Sequence, residues 1–217
     1  MVRWKTLLVL AFATATCASA AAERVLMDEI VAVIDGGIIT VSDILAAREL
    51  ASATGRSILP ADQLLGGDPK QVNRNVLKEI LIGNIAYTQA VKLNMAEADP
   101  AAIERDYQQL RARFSSEQEY NAFLSPLGLL DEHVLFRLRK HRICERFLSK
   151  KIGLQVRIGL KAYYQENRAR YPDVPFDQIK DRVAADLFVE NLDDWIAESL
   201  TRVDLKILHP DYADLLK

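Results

Sequence analysis

Residues 69–94 read PKQVNRNVLKEILIGNIAYTQAVKLN, and this stretch decides the fold. Asp68 followed by Pro69 is an N-cap residue with a proline at the first helical position. The apolar positions are Val72, Val76, Leu77, Ile80, Leu81, Ile82, Ile85, Tyr87, Val91 and Leu93. At 100° per residue they cover most of the circumference, as in a buried helix and unlike the single stripe of a surface one. A helix of that length would run roughly 39 Å. Lys78, Glu79 and Lys92 inside it exclude a membrane span. The other segments are therefore expected to pack on it from several sides.

The first twenty residues stand apart. Arg3 and Lys5 form a short basic region, Leu7–Cys17 an apolar run, and Ala18-Ser19-Ala20 the small residues of a cleavage site. This is the pattern of a secretory signal peptide, with cleavage expected after Ala20 and export to the periplasm. Cys17 does not make a lipoprotein signal, because Thr14 stands where an aliphatic residue is required. Removing Arg3 and Lys5 from the 28 basic residues leaves 26 against 30 acidic, a net charge of −4. That balance gives no reason to expect a nucleic-acid partner. No later apolar run is long enough to predict stable membrane insertion. Cys144 is the one cysteine after Ala20, so no internal disulfide is expected, and its helical context predicts a buried, inert thiol.

Working outward, residues 29–35 (EIVAVID) predict a strand covered on both faces, Asp35-Gly36-Gly37 a turn, and Ile38-Ile39 a second short strand. Thr40-Val41-Ser42-Asp43 has capping-box spacing and opens a helix to about Ala53. Residues 54–67 form an irregular connection. Asp99-Pro100 starts an amphipathic helix ending near Phe114. Ser115 or Ser116 caps a short helix that Pro126 and Gly128 break. Asp131 is placed to cap a helix to about Ile152, with two opposed apolar stripes. Val134, Leu138, His141, Leu148 and Ile152 lie on one side, and Phe136, Ile143 and Phe147 on the other. Such a helix is either sandwiched or presents one stripe outward. Residues 160–170 predict a short helix, 171–175 an extended connector, and Phe176 to about Arg202 a long acidic helix. Val203–Leu208 predicts a closing strand whose natural partner is the strand at 29–35, since an isolated strand is unstable. The fold class expected is mostly α, a multi-helix domain with a small β-sheet formed by the N-terminal and C-terminal strands.

Catalytic and metal-binding motifs are missing from the sequence. His133, His141 and His209 have no ligand spacing, and no nucleophile elbow, P-loop or dinucleotide fingerprint occurs. No acidic residue stands in a stretch expected to raise its pKa for acid–base work. No catalytic residue, metal or cofactor is therefore expected, and the composition favours a binding protein. Aromatic residues on several helices (Tyr107, Phe114, Tyr120, Phe123, Phe136, Phe147) are either core or the lining of an apolar groove. Contacts in such a groove scale with area and suit many clients.

The quoted patterns resemble one family. DEIVAVIDGGIITVSDIL at 28–45 is similar to the opening of the SurA-type periplasmic chaperones and their foldase relatives. VLKEILIGNIAYTQAVKLNM resembles their long core helix, and VLFRLRKHRICERFLSKKI the helix closing their N-terminal domain. KAYYQENRARY resembles the segment that leads into the prolyl isomerase domain, and residues 175–208 the C-terminal helix and strand. Only four residues separate Tyr171 from Phe176, where an isomerase member carries a parvulin domain of roughly a hundred residues. The resemblance thus implies a chaperone module without isomerase activity: a signal peptide at 1–20, a helical domain at 21–160, and a C-terminal helix and strand at 161–217 completing it. It implies an ATP-independent holdase for unfolded exported or outer-membrane proteins, without enzymatic activity. Phe136, Ile143 and Phe147 are the candidate client contacts. A prolyl isomerase and a periplasmic scaffold for one partner are the alternatives, and a homodimer stays open.

Overall fold

The structure, a computed structural model, describes residues 28–61, 64, 66–172 and 174–215. The expected signal peptide, its cleavage site and Cys17 lie outside the described residues.

The chain folds as a mostly α domain with a small antiparallel sheet. Strand β1 (Ile30–Ile34) turns through Asp35 and Gly36 into β2 (Gly37–Thr40). Both turn residues have positive φ, 48° and 81°, the geometry an Asp-Gly hairpin turn favours. Helix α1 (Val41–Thr54) starts from the expected capping box: Asp43 N–H donates to Thr40 Oγ1, and Thr40 N–H donates to the Asp43 carboxylate. Gly55, with φ 65°, closes it.

Helix α2 (Pro69–Lys92) is capped by Asp68, which accepts from the Gln71 N–H. Its buried side chains point in nearly every direction. Val72, Val76 and Ala90 face one way, and Leu77, Leu81 and Ile85 the opposite way. Helix α1 and a long helix described below cover it on different sides, while the outer end carries exposed Val91 and Leu93. Helix α3 (Pro100–Arg111) is capped by Asp99, and α4 (Glu117–Leu124) by Ser116.

Helix α5 (Asp131–Glu166) is 36 residues long and merges the two helices expected at 131–152 and 160–170. Gly153 lies at the expected boundary, and a helical glycine costs about 1 kcal/mol. Packing overrides it: Val156, Leu160 and Tyr163 continue the buried stripe against helix α6 (Phe176–Leu200), and a Cβ on Gly159 would sit 3.6 Å from Leu187. Asp131 is not the cap. Leu130 is, its N–H donating to His133 Nδ1, and the Asp131 carboxylate instead accepts from the hydroxyls of Tyr107 and Tyr120.

Strand β3 (Leu205–Ile207) pairs with β1, Ala32 opposite Ile207 and Ile34 opposite Leu205. The sheet order is β2-β1-β3, so the two ends of the described chain meet as expected. Two apolar clusters hold the molecule. The larger joins β1, α2, the later part of α5 and α6, uniting residues on both sides of position 160. The smaller joins α1, α3, α4 and the start of α5. The clusters divide α5 along its length, and the larger one buries members of both opposed stripes. Val134 and Leu138 belong to the smaller cluster, while Ile143, Phe147, Leu148 and Ile152 belong to the larger. One helix serves two cores along its length.

Candidate functional site

Between α1, α2 and the first turns of α5 lies an open groove of about 680 Å³. Small residues make the room. Ala46, Ala47 and Ala51 of α1 form one wall, and Gly83 of α2 leaves space where a Cβ would meet nothing within 4 Å. Val76, Ile80, Val134 and Leu138 supply apolar surface. At the mouth stand two large apolar side chains in water, Ile38 of β2 (58 % exposed) and Phe136 of α5 (54 % exposed).

Of the three expected client contacts, Phe136 alone lines this groove. Ile143 and Phe147 are buried, 2 % and 1 % exposed, and belong to the core. The angular stripe groups the three, yet Phe136 and Phe147 are separated by roughly 16 Å along the axis at 1.5 Å per residue. Over that distance the surroundings change: the Phe147 ring packs against Trp195 of α6 at 6.1 Å between centroids.

Charged groups border the groove. Glu79 of α2 accepts from the backbone N–H groups of Ile58 (2.7 Å) and Leu59 (2.9 Å), pinning the segment after α1 over one side. Burial raises its carboxyl pKa despite those two bonds. The expectation that no acidic residue stands in a stretch that raises its pKa fails at Glu79, and its place in a helix apolar nearly all round was the available signal. Burial also lowers the pKa of Lys140 and of His141, and pushes the Cys144 thiol up to about 11. Cys144 is buried, as expected, and its thiol donates to the Gly83 carbonyl. Arg137 pairs with Asp43 across the mouth at 3.2 Å.

Behind the groove lies a buried ion network that the sequence did not disclose. Asp106 of α3, 4 % exposed, receives Arg142 through Nε (2.6 Å) and Nη2 (2.7 Å), and Arg56 through Nη2 (2.5 Å). Burial acts to raise the Asp106 pKa, but the two guanidiniums outweigh it and hold the carboxyl below its ordinary range. The network ties α3, α5 and the segment after α1 into one frame around the cavity.

Beside the groove, past Ile38 and Asn84, which border both, lies a second depression of about 520 Å³. Its lining is more polar and includes Tyr87, Lys92 and Arg202. Among the described residues, no cluster of three His, Cys, Asp or Glu side chains is arranged to hold a metal, and no helix is long and apolar enough to cross a membrane. The arrangement offers apolar area, room and a charged border, which suits binding. Comparison with protein-family models and with characterised proteins finds no match for this chain.

Proposed function

We propose that this protein is an ATP-independent periplasmic chaperone, a holdase that binds unfolded exported proteins, outer-membrane proteins among them, by a helical groove. The groove between α1, α2 and α5 carries this reading: a volume of about 680 Å³ with apolar walls and two large apolar side chains left in water at its mouth. An exposed aromatic at the rim of an apolar concavity has a use when it meets apolar segments of another chain. Such contacts are non-directional, so many unrelated clients are accommodated, and release needs no nucleotide. The charged border keeps a loaded complex soluble. The pattern of an export signal followed by segments resembling the SurA N-terminal module supports the same reading, and so does the short Tyr171–Phe176 connection, which has no room for a parvulin domain. The protein acts in this reading on folding and outer-membrane protein assembly by peptide binding, not by catalysis.

The test is light scattering of an unfolded outer-membrane barrel protein diluted from urea, with and without residues 21–217. Suppressed aggregation at near-stoichiometric ratios, without nucleotide, is the expected result. Unchanged aggregation overturns the holdase, and capture of one tight partner would then indicate a scaffold. Acceleration of a proline-limited refolding reaction would overturn the non-enzymatic assignment.

A further inference from the structure

The seam between the groove and the neighbouring depression carries a cation that, among the described residues, is ion-paired to no carboxylate. Lys140 of α5 lines the groove there, about one turn beyond the mouth residue Phe136 by helical spacing. Its ammonium donates to the side-chain oxygen of Asn84 and lies 5.8 Å from the centre of the Tyr87 ring. Asn84 borders both concavities and Tyr87 the second, so the ammonium sits where one opens into the other. A neutral amide oxygen is a poor counterpart for a half-buried cation, and among the described residues no carboxylate forms an ion pair with it. The field of Asp43 reaches Lys140, but its carboxylate is paired with Arg137 and accepts from the Thr40 N–H, and Glu79 accepts from two backbone N–H groups. Farther along, Lys92 also lacks an ion-pair partner among the described residues, whereas Arg202 is paired with Glu198.

We propose that the groove selects extended segments in which an acidic side chain adjoins apolar or aromatic residues, the apolar part lying between α1 and α5 and the carboxylate meeting Lys140 at the seam, with Lys92 beyond it. This inference rests on the chaperone reading of the same groove and names its preferred substrate class. Charge complementarity argues for it: an incoming carboxylate supplies the counter-charge that a desolvated ammonium lacks. A side-chain carboxylate fits better than a chain terminus, because the concavity continues past Lys140 and does not end there.

The experiment is fluorescence anisotropy with short labelled peptides, each blocked at both ends and sharing one aromatic-rich core. One carries Asp beside the core, one carries Asn there, and a third is the Asn peptide with a free C-terminal carboxylate. The Asp peptide is expected to bind roughly five- to tenfold tighter than the Asn peptide, between the worth of an exposed ion pair and that of a charge-assisted hydrogen bond. Lys140→Met keeps the apolar stem and should abolish that preference, so that the Asp and Asn peptides bind the variant alike. If Asp and Asn peptides bind equally, the selectivity is overturned and the groove reading stands. If none binds, both fall. Should the free C-terminus match or exceed the Asp peptide, the side-chain assignment is overturned. The wild-type comparison stands without any variant, and a thermal melt shows whether Lys140→Met is folded.

Discussion

Phe147 and Phe136 lie on the same angular side of α5 but have opposite surroundings, so truncating each should separate stability from binding. Phe147 is 1 % exposed and packs on Trp195 within the larger core. Phe147→Ala removes its ring from that core and leaves a cavity between α5 and α6. Such truncations cost about 3–5 kcal/mol. For a chain of this size each kcal/mol lowers Tm by about 2–4 °C, so Tm should fall by roughly 6–20 °C. Phe136 is 54 % exposed, and more than half its surface already meets water. Phe136→Ser should therefore cost about 1 kcal/mol or less, a shift of a few degrees at most. The assay is paired: circular-dichroism melts with urea titrations for stability, and suppression of barrel-protein aggregation for function. The expected pattern is a destabilised Phe147→Ala and a stable Phe136→Ser with weakened client protection. If Phe136→Ser melts as low as Phe147→Ala, Phe136 is core and the groove is closed at that end. If Phe147→Ala melts like the wild type, the Phe147 ring is not part of the packing of α5 on α6.

Three further outcomes are expected. Asp106→Asn leaves Arg56 and Arg142 facing a neutral amide and should cost about 2–4 kcal/mol at pH 7, discounted from a fully buried pair because both guanidiniums reach water. The Asp106 carboxyl is held below its ordinary 3.8, so its contribution is present above that pH and lost as pH falls through the lower folded-state value. Urea titrations at pH 7 and pH 3 check this, and a cost that does not shrink in acid refutes it. Glu79 has the opposite sign: its carboxyl is raised above its ordinary 4.5, so its ionised form costs stability at neutral pH. The wild type should therefore gain on Glu79→Gln as pH is lowered from 7 towards 4.5, and a pH-independent difference would count against it. Cys144, with its thiol pushed up to about 11 by burial, should react with a disulfide reagent only after denaturation. Rapid labelling of the native protein would show that the thiol is reachable.

Local chemistry determined much of this protein. The Asp68-Pro69 and Asp99-Pro100 starts, the Thr40–Asp43 capping box and the Asp35-Gly36 turn each work within a few residues, so the sequence alone located α1, α2, α3 and the hairpin. The all-round apolar pattern of α2 likewise required cover from several sides. Even the pairing of β3 with β1, remote in sequence, was legible, because a lone strand needs a partner and few were on offer. What only the tertiary structure decided was which neighbour covers which face. Periodicity groups Phe136 with Ile143 and Phe147, but it does not tell that α6 buries the last two while the first opens on a groove. Nor does it tell that packing carries α5 through Gly153, that Asp131 answers two tyrosines and leaves the cap to Leu130, or that Asp106 gathers two arginines from different elements. Each of these depends on contacts between segments far apart in the chain. A side chain's own pattern states how apolar its face is, and only the segment folded against that face settles whether it becomes core or surface.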